Sequence, residues 1–304
     1  MIQEPKGHVF YIYIKKTWLC GPKKHEKEGN TMSIKADFHL HSHFSGDCQE
    51  PMENMIKKGI ELGLTHMCFT EHMDMDFPIT EQDPEGKFMV NTDSYLYELI
   101  TLKEKYANQI KILFGIELGL QPHIKRDLAK YAKSYDFDFI IGSSHLCNKK
   151  DPYYPPFYEG RTELEAYREY FLSIVDNIKS FSNFDVYGHL DYVVRYGPTK
   201  DTNYSYAKFA DILDSILELL IEKEKGLEIN TGGLRKGLKS TNPSIEILRR
   251  YRELGGEIIT IGSDAHNTDD VASAFTTAQE ILLDCGFKYY TTFEKRYPEF
   301  HRIV

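Results

Sequence analysis

The sequence predicts an α/β fold in a single domain: a distorted, incomplete (β/α)7 barrel of the TIM-like kind. Three observations carry that expectation. Seven short apolar runs are spread along the chain, amphipathic helical patterns separate them, and almost every run ends in a histidine or a carboxylate. Continuous apolar runs mark strands buried on both faces, as in parallel sheets. Strand alternating with helix gives either a barrel or an open, doubly wound sheet. An open sheet gathers its site at one switch point, whereas a barrel brings the C-terminal ends of all its strands together. Ligand-type groups drawn from the whole chain favour the barrel, and seven runs rather than eight make it an incomplete one.

The runs occupy residues 36–41, 67–72, 112–117, 139–145, 186–189, 227–230 and 258–266. Between the first two, residues 51–62 place Met52, Met55, Ile56 and Ile60 on one helical face, with Pro51 near the first turn, where a missing N–H costs little. Residues 93–106 start at a capping-type Asp and carry Leu96, Leu99, Ile100 and Leu102. Residues 162–181, 206–225, 244–254 and 268–285 repeat the pattern, and Pro243 signals the start at Ser244. The connection after His145 is different. Its segment from Asp151 to Arg161 is rich in Pro, Tyr and Phe, which predicts a structured loop and no helix. Such loops serve as lids or substrate walls, a passive surface wrap being the alternative.

The chain has 304 residues and no Gly/Ser- or Pro-rich linker, consistent with one domain. A net charge of -9 opposes a general binder of nucleic acid or of membrane surfaces. It leaves room for a small phosphorylated substrate, which needs only a few placed arginines. Five cysteines without a CxxC pair fit a reducing compartment. The apolar stretch from Val9 to Ile14 is too short to span a bilayer and runs into Lys15 and Lys16, so a cytoplasmic location is expected. Residues 1–31 read apart from the rest. Lys27-Glu28-Gly29 is a tripeptide that a bacterial ribosome-binding purine tract would encode just before Met32. The segment is therefore either not native to the protein or a genuine extension, and residues 32–304 are expected to form the single domain.

Six of the twelve histidines, namely His39, His41, His72, His145, His189 and His266, terminate expected strands. His39 and His41 are one residue apart, and the strand period of two puts both on one face, where they can clasp one ion. Asp264 and His266 repeat the spacing. His8, His25 and His301 read as solvated tail residues, and His66 and His123 as structural. His43 follows the first pair and reads either as a supporting residue or as a phosphate contact. Glu71 and Asp74 read as ordinary solvated carboxylates. Cys48 and Cys147 lie near strand ends, but harder ligands are already plentiful there.

Taken together, the motifs Asp37-Phe38-His39-Leu40-His41, Thr70-Glu71-His72, Gly115-Ile116-Glu117, Ser144-His145, Gly188-His189 and Ser263-Asp264-Ala265-His266 resemble the polymerase-and-histidinol-phosphatase (PHP) family. They come in the family's order and cover residues 34–275. The resemblance implies a PHP-type distorted barrel holding two to three divalent metal ions, and His-plus-carboxylate ligation suits Zn, Mn or Fe. It implies His39, His41, Glu117 and Asp264 around one metal, with Glu117 shared with a second that His145 and His189 complete. Asp47, His72 and His266 would hold the third. Asp47 stands where some members carry a histidine, so it is a departure from the pattern.

Gly188-His189-Leu190-Asp191 leading to Arg195-Tyr196, the stretch from Leu227 to Lys236, and the aromatic insertion after His145 resemble the histidinol-phosphatase branch. That branch implies a metal-dependent phosphomonoesterase hydrolysing L-histidinol phosphate to L-histidinol and phosphate in histidine biosynthesis. A protein-tyrosine-phosphate or nucleotide phosphatase on the same scaffold is the alternative. An exonuclease is opposed by the acidic balance, and an amidohydrolase by the absence of a strand-end lysine. In this scheme the sixth strand gives no metal ligand, and Asn230, Thr231 and Arg235 face the substrate.

A phosphate dianion needs fixed positive charge, which Arg supplies with bidentate geometry. Arg161, Arg195 and Arg235 lie beyond strand ends or in the lid loop, with surface ion pairing as the alternative for each. Tyr153, Tyr154, Phe157 and Tyr158 would wall an imidazole, and Glu159 or Asp191 would meet an ammonium. Glu117 and Asp264 would act in catalysis through the metals, and Asp191 or a neighbouring histidine would protonate the leaving alkoxide.

Overall fold

Seven parallel strands follow one another in sequence order: β1 (Ala36–Leu40), β2 (His66–Met73), β3 (Lys111–Gly119), β4 (Phe139–Ser143), β5 (Val186–Tyr187), β6 (Gly226–Asn230) and β7 (Ile259–Gly262). They belong to a computed structural model that describes residues 33–304. The expectations for residues 1–31, including His8 and His25, lie outside the described residues. Each strand pairs with its sequence neighbours, and the ring closes between β7 and β1. There the Asp264 amide donates to the His39 carbonyl at 2.7 Å and the His41 amide to the Ala265 carbonyl at 2.9 Å. The expected distorted barrel is therefore present. Its distortion lies at β5, which is only two residues long and pairs through two registers on each side.

The helices are α1 (Met52–Glu61), α2 (Thr92–Lys105), α3 (Lys125–Tyr131), α4 (Glu163–Ser180), α5 (Ala210–Glu222), α6 (Gly232–Arg235), α7 (Ile245–Glu253) and α8 (Phe275–Asp284). Five fall inside the expected windows and α2 starts one residue before its own; α3 and α6 are too short to show a period. At α4 the Thr162 side chain and Glu165 form a reciprocal capping box, which fixes the start of the helix after the aromatic loop. The window 268–285 splits into a 3₁₀ turn at Thr268–Asp270 and α8, because Ala272 and Ala274 adopt positive φ of 52° and 59°.

Beyond α8 the chain makes a hairpin, β8 (Tyr289–Glu294) and β9 (Tyr297–Arg302), absent from the sequence expectation. Lys295 and Arg296 turn it with positive φ at both positions, as a two-residue hairpin loop requires. His301 is thus no solvated tail residue. It stacks on Tyr290 and lies 2.7 Å from the Thr292 hydroxyl. One hydrophobic core runs from Ile34 through the barrel to Ile303, which directly follows β9.

Two long connections cover the C-terminal end of the barrel. One follows β2 and spans residues 74–91; the other follows β4 and spans residues 144–162, with only a 3₁₀ turn at Pro155–Phe157, as the absence of helical signal predicted. They grip each other. The Tyr154 hydroxyl donates to Asp83, and Lys149 Nζ reaches Asp76 at 3.0 Å. Among the described residues no helix is long and apolar enough to cross a membrane.

Candidate active site

His39 and His41 project inward from the end of β1, fully buried. Glu117 comes from near the C-terminal end of β3, and Asp264 follows β7. Glu117 Oε2 lies 3.3 Å from His39 Nε2 and 3.7 Å from His41 Nε2, while Asp264 Oδ1 lies 3.7 and 3.6 Å from the same two nitrogens. Ligands at about 2.0–2.1 Å from a tetrahedral ion stand about 3.3–3.4 Å apart, so these four atoms have the spacing of a cation's coordination shell. The other oxygen of Glu117 faces a second pair, His145 Nε2 at 3.1 Å and His189 Nε2 at 2.9 Å. A third group sits nearer the mouth, with Asp47 Oδ2 3.6 Å from His72 Nε2 and 3.3 Å from His266 Nε2. The nine residues expected from the sequence therefore converge. His72 also turns Nδ1 to Glu117 at 3.0 Å, so it bridges the inner and outer groups.

Orphaned polar atoms mark the same place. His39 Nε2, His41 Nε2, His72 Nδ1, Glu117 Oε2 and His266 Nε2 are buried without a hydrogen-bond partner. Buried polar atoms are almost always satisfied, and a cluster of exceptions, all of ligand type, fits divalent cations. Without a cation the cluster's charges are coupled: against their burial, neighbouring carboxylates hold His39, His72 and His145 well above the usual histidine range. Burial, with His266 and His72 nearby, holds His41 well below the usual histidine range, which leaves its lone pair free. Burial would raise Glu117, but the imidazoles of His39, His145 and His72 hold it well below the usual carboxylate range. Asp264 is likewise held low against its burial, chiefly by Arg195 and His39.

Asp264 is the sharpest local feature. It adopts a positive φ of 56°, which costs a non-glycine residue about 1–2 kcal/mol. The turn lets its two oxygens serve two sides: Oδ1 faces the histidines and Oδ2 lies 2.9 Å from Arg195 Nη1.

Around this centre lies a layer of carboxylates that sequence reasoning missed or misplaced. Glu71 and Asp74 are buried rather than solvated. Glu71 takes hydrogen bonds from the Ser42 amide and from the Ser42 and Ser45 hydroxyls, and Ser45 Oγ stands 3.0 Å from His41 Nδ1. Asp74 Oδ1 lies 2.8 Å from His145 Nδ1. Glu228, on β6, lies 2.6 Å from His39 Nδ1. Glu228 could have been read from the sequence as a charge inside an apolar strand run, in phase with Asn230. Both cysteines near strand ends stay thiols: burial pushes Cys48 up to about 11 and raises Cys147.

A cavity of about 600 Å³ opens above the cluster. Arg195 and Arg235 line it. Arg195 is 5% exposed and fully bracketed: its Nε donates to Asn242 Oδ1, Nη2 to Asn230 Oδ1 and Nη1 to Asp264. Arg235 Nη2 donates to the Ser263 and Asp264 carbonyls, and its Nη1 has no partner among the described residues.

The other expected substrate contacts do not reach the cavity. Arg161 folds back on its own loop, stacking on Phe157 and pairing with Glu169, because the helix α4 lies beside it. His43 is partly exposed beside Glu98, 3.6 Å away, since the chain has already turned outward after β1. Asp191 is buried and points below Arg195, accepting from Asn242 Nδ2 at 2.6 Å and the Ser244 amide at 2.9 Å. Asn230 and Thr231 are also buried; Asn230 serves Arg195 and not the cavity. Phe157 belongs to the core, and Glu159 lies on the surface. Of the expected aromatic wall, Tyr153 and Tyr154 do line the cavity, joined by Tyr192, Tyr196, Phe77 and Phe88, and the carboxylates facing it are Asp74, Asp83 and Asp151 beside the cluster's own Asp47 and Asp264 and the rim's Asp270.

Known proteins resemble this chain in sequence and fold. The PHP domain family model matches residues 37–232. A histidinol-phosphatase of Lactococcus lactis is 36% identical over 85% of this chain and 94% of its own length. A probable histidinol-phosphatase of Clostridium acetobutylicum is 33% identical over 86% of this chain and 97% of its own. A crystal structure of histidinol phosphate phosphatase from L. lactis, complexed with Zn, L-histidinol and phosphate, superposes with a TM-score of 0.79 at 34% identity, covering 87% of this chain and 98% of that one. With the barrel, the motif order and these relatives in agreement, the chain belongs to the PHP family, in its histidinol-phosphatase branch.

Proposed function

We propose that this protein is a histidinol-phosphatase: a metal-dependent phosphomonoesterase that hydrolyses L-histidinol phosphate to L-histidinol and phosphate, a step of histidine biosynthesis. The observation that carries the reading is the juxtaposition of the buried, partnerless imidazole and carboxylate atoms with the bracketed guanidinium of Arg195 across one cavity. Acidic and imidazole donors suit divalent cations, and fixed arginines suit a phosphate dianion.

His39, His41, Glu117 and Asp264 would hold one cation, Glu117, His145 and His189 a second, and Asp47, His72 and His266 a third; Zn, Mn and Fe all suit these donors. Bound cations supply Lewis acidity, which brings the pKa of a water towards neutrality and offsets charge on phosphorus oxygens.

The chain's own groups do the rest. Arg195 cannot swing away, because three acceptors hold its three nitrogens, so its orientation towards the phosphate is set before substrate arrives. Arg235 adds a second positive group at the same rim. The tyrosine wall accepts the imidazole ring of the substrate, and the clasped loops over the barrel exclude bulk water. Asp191 acts as a support and not as the proton donor, since Asn242 and Ser244 occupy its oxygens. The substrate is a small molecule and the enzyme works in the cytoplasm. The net charge of -9 supports the first statement, and the cysteines free among the described residues, Cys48, Cys68, Cys147 and Cys285, support the second.

Phosphate release from L-histidinol phosphate, tyrosine phosphate, nucleotides and nitrophenyl phosphate tests the reading, with and without chelator. Preference for histidinol phosphate, lost on chelation and restored by Zn²⁺, Mn²⁺ or Fe²⁺, is expected. Equal or faster turnover of another ester would overturn the substrate, and full activity after metal removal would overturn the chemistry.

A further inference from the structure

Strand β6 is the one barrel strand whose end gives no metal-type ligand to the cluster, yet it carries Glu228, a carboxylate that is 1% exposed. Burying a carboxylate is costly unless its lone pairs are taken up. Here three donors surround it. His39 Nδ1 is 2.6 Å from Oε1, while the His189 backbone amide, at 2.8 Å, and Asn230 Nδ2, at 3.2 Å, both donate to Oε2. Its only ion-pair partner among the described residues is His39.

The barrel makes room for this side chain. A Cβ on Gly262, in β7, would fall 2.1 Å from Glu228 Oε1 and 2.4 Å from His39 Cβ. A Cβ on Gly188, after β5, would meet Ser143 and Ile141 at 2.5 and 2.7 Å and stand 3.4 Å from Glu228 Oε2. Glycines on both flanking strands thus leave the slot in which Glu228 reaches across to β1.

The consequence is chemical. An imidazole that donates Nδ1–H to a carboxylate presents Nε2 as a lone pair, and Nε2 is the atom of His39 that faces Glu117 and Asp264. Through its other oxygen Glu228 also holds the main chain of His189, whose Nε2 faces the opposite oxygen of Glu117. We propose that Glu228 is a positioning residue that fixes the ring orientation and tautomer of His39 and the register of His189, so that one carboxylate aligns ligands for two neighbouring cations. The proposal rests on the divalent-cation reading of the cluster.

Only a carboxylate fits. In Glu228→Gln one terminal atom becomes an NH₂. If that atom faces His39, it demands the wrong tautomer; if it faces the other way, it meets the His189 amide and Asn230 Nδ2, which are both donors. Zn²⁺ affinity is measured by competition with a chromophoric chelator, together with metal content per chain at fixed free Zn²⁺. E228Q is expected to bind roughly 10–100-fold more weakly than the wild type. Its activity should recover with excess Zn²⁺ while KM for the ester stays near the wild-type value. Unchanged Zn²⁺ affinity in a folded E228Q would overturn the proposal and leave the cation reading standing. A wild-type protein that takes up no divalent cation would overturn the cation reading itself.

A second measurement does not depend on the variant folding. In ¹⁵N-histidine-labelled, Zn²⁺-loaded wild type, the His39 signals should report a protonated Nδ1 and a coordinated Nε2. The opposite assignment would overturn the proposal.

Discussion

Arg195 Nη1 stands 2.9 Å from Asp264 Oδ2, and this contact joins the two halves of the active site. On one side Asp264 faces His39 and His41; on the other Arg195 faces the cavity. Each group holds the other in its charged form. Arg195 keeps Asp264 ionised despite its burial, and the same pairing holds the guanidinium against three fixed acceptors.

Arg195→Lys tests that relationship. A lysine brings one charge but cannot serve Asn242, Asn230 and Asp264 together in a plane. The variant is expected to lose about 100-fold in kcat/KM, in line with a misplaced positioning group, while its metal content stays near that of the wild type. Steady-state kinetics on L-histidinol phosphate, beside metal analysis, checks both parts. Retention of wild-type kcat/KM would separate Arg195 from the phosphate.

Asp191→Asn distinguishes a proton donor from a support. Asp191 holds Asn242, and Asn242 holds Arg195, so the residue acts two contacts away from the cavity. An amide at this position presents a donor to the Asn242 amide or the Ser244 N–H. We expect roughly a tenfold fall in kcat/KM with both limbs of the pH–rate profile in place. Disappearance of one limb would restore Asp191 as the acid.

How much of this was legible in the sequence follows from the kind of signal each residue gives. His39 with His41, and Asp264 with His266, announce themselves because a period of two at a strand end is a local pattern. Six helices were found for the same reason, since amphipathic periods persist over several turns. Arg161 and Arg195 look alike in sequence. Only the third dimension shows that Arg161 curls onto Phe157 and Glu169, whereas Arg195 is pulled inward by Asn242, 47 positions away. Glu71 and Asp74 failed for a related reason. Nothing local says that Ser42 and Ser45 will cap one and His145 will meet the other. The loop at residues 74–91 left no periodic trace, yet its Asp83 closes the cavity against Tyr154.

That clasp is open to test. Tyr154→Phe removes the hydroxyl that bonds Asp83 and keeps the aromatic wall. The two loops should separate more readily, so KM for L-histidinol phosphate is expected to rise several-fold with kcat changed little. Limited proteolysis should cut faster within residues 74–91 in the variant. Identical KM and cleavage rates would mean that the contact does not close the cavity.

Glu117→Gln concerns the centre itself. Each oxygen of Glu117 faces a different set of imidazoles, Oε2 toward His39 and His72 and Oε1 toward His145 and His189. An amide nitrogen at either position has no lone pair to give a cation, so one of the two sets would lose the ligand they share. Activity should fall below detection and metal content per chain should drop, with the far-UV circular dichroism of the wild type preserved. A fully loaded and active Glu117→Gln protein would remove Glu117 from both proposed cation sites.

Asp151 offers a prediction about pH. It lies at the foot of the aromatic loop, where its Oδ1 accepts the Tyr153 amide at 2.7 Å, and it lines the cavity. Burial pushes its carboxyl up to about 6, the Tyr153 amide offsetting only part of the cost. In the unfolded chain the group titrates near its ordinary value of about 3.9. Between those two values the folded state binds more protons than the unfolded state, so stability falls as pH rises from about 4 to about 6. Below that window both states are protonated and the penalty is absent; above it the full penalty applies. Asp151→Asn removes the ionisable group but keeps an oxygen for the Tyr153 amide. The variant should therefore match the wild type near pH 4 and exceed it by roughly 1–2 kcal/mol above pH 6, after allowance for partial solvent screening. Denaturant unfolding of chelator-treated proteins at pH 4.5, 5.5 and 7 measures the difference. A stability difference that stays constant across that range would show that Asp151 ionises as freely in the folded protein as in the unfolded one.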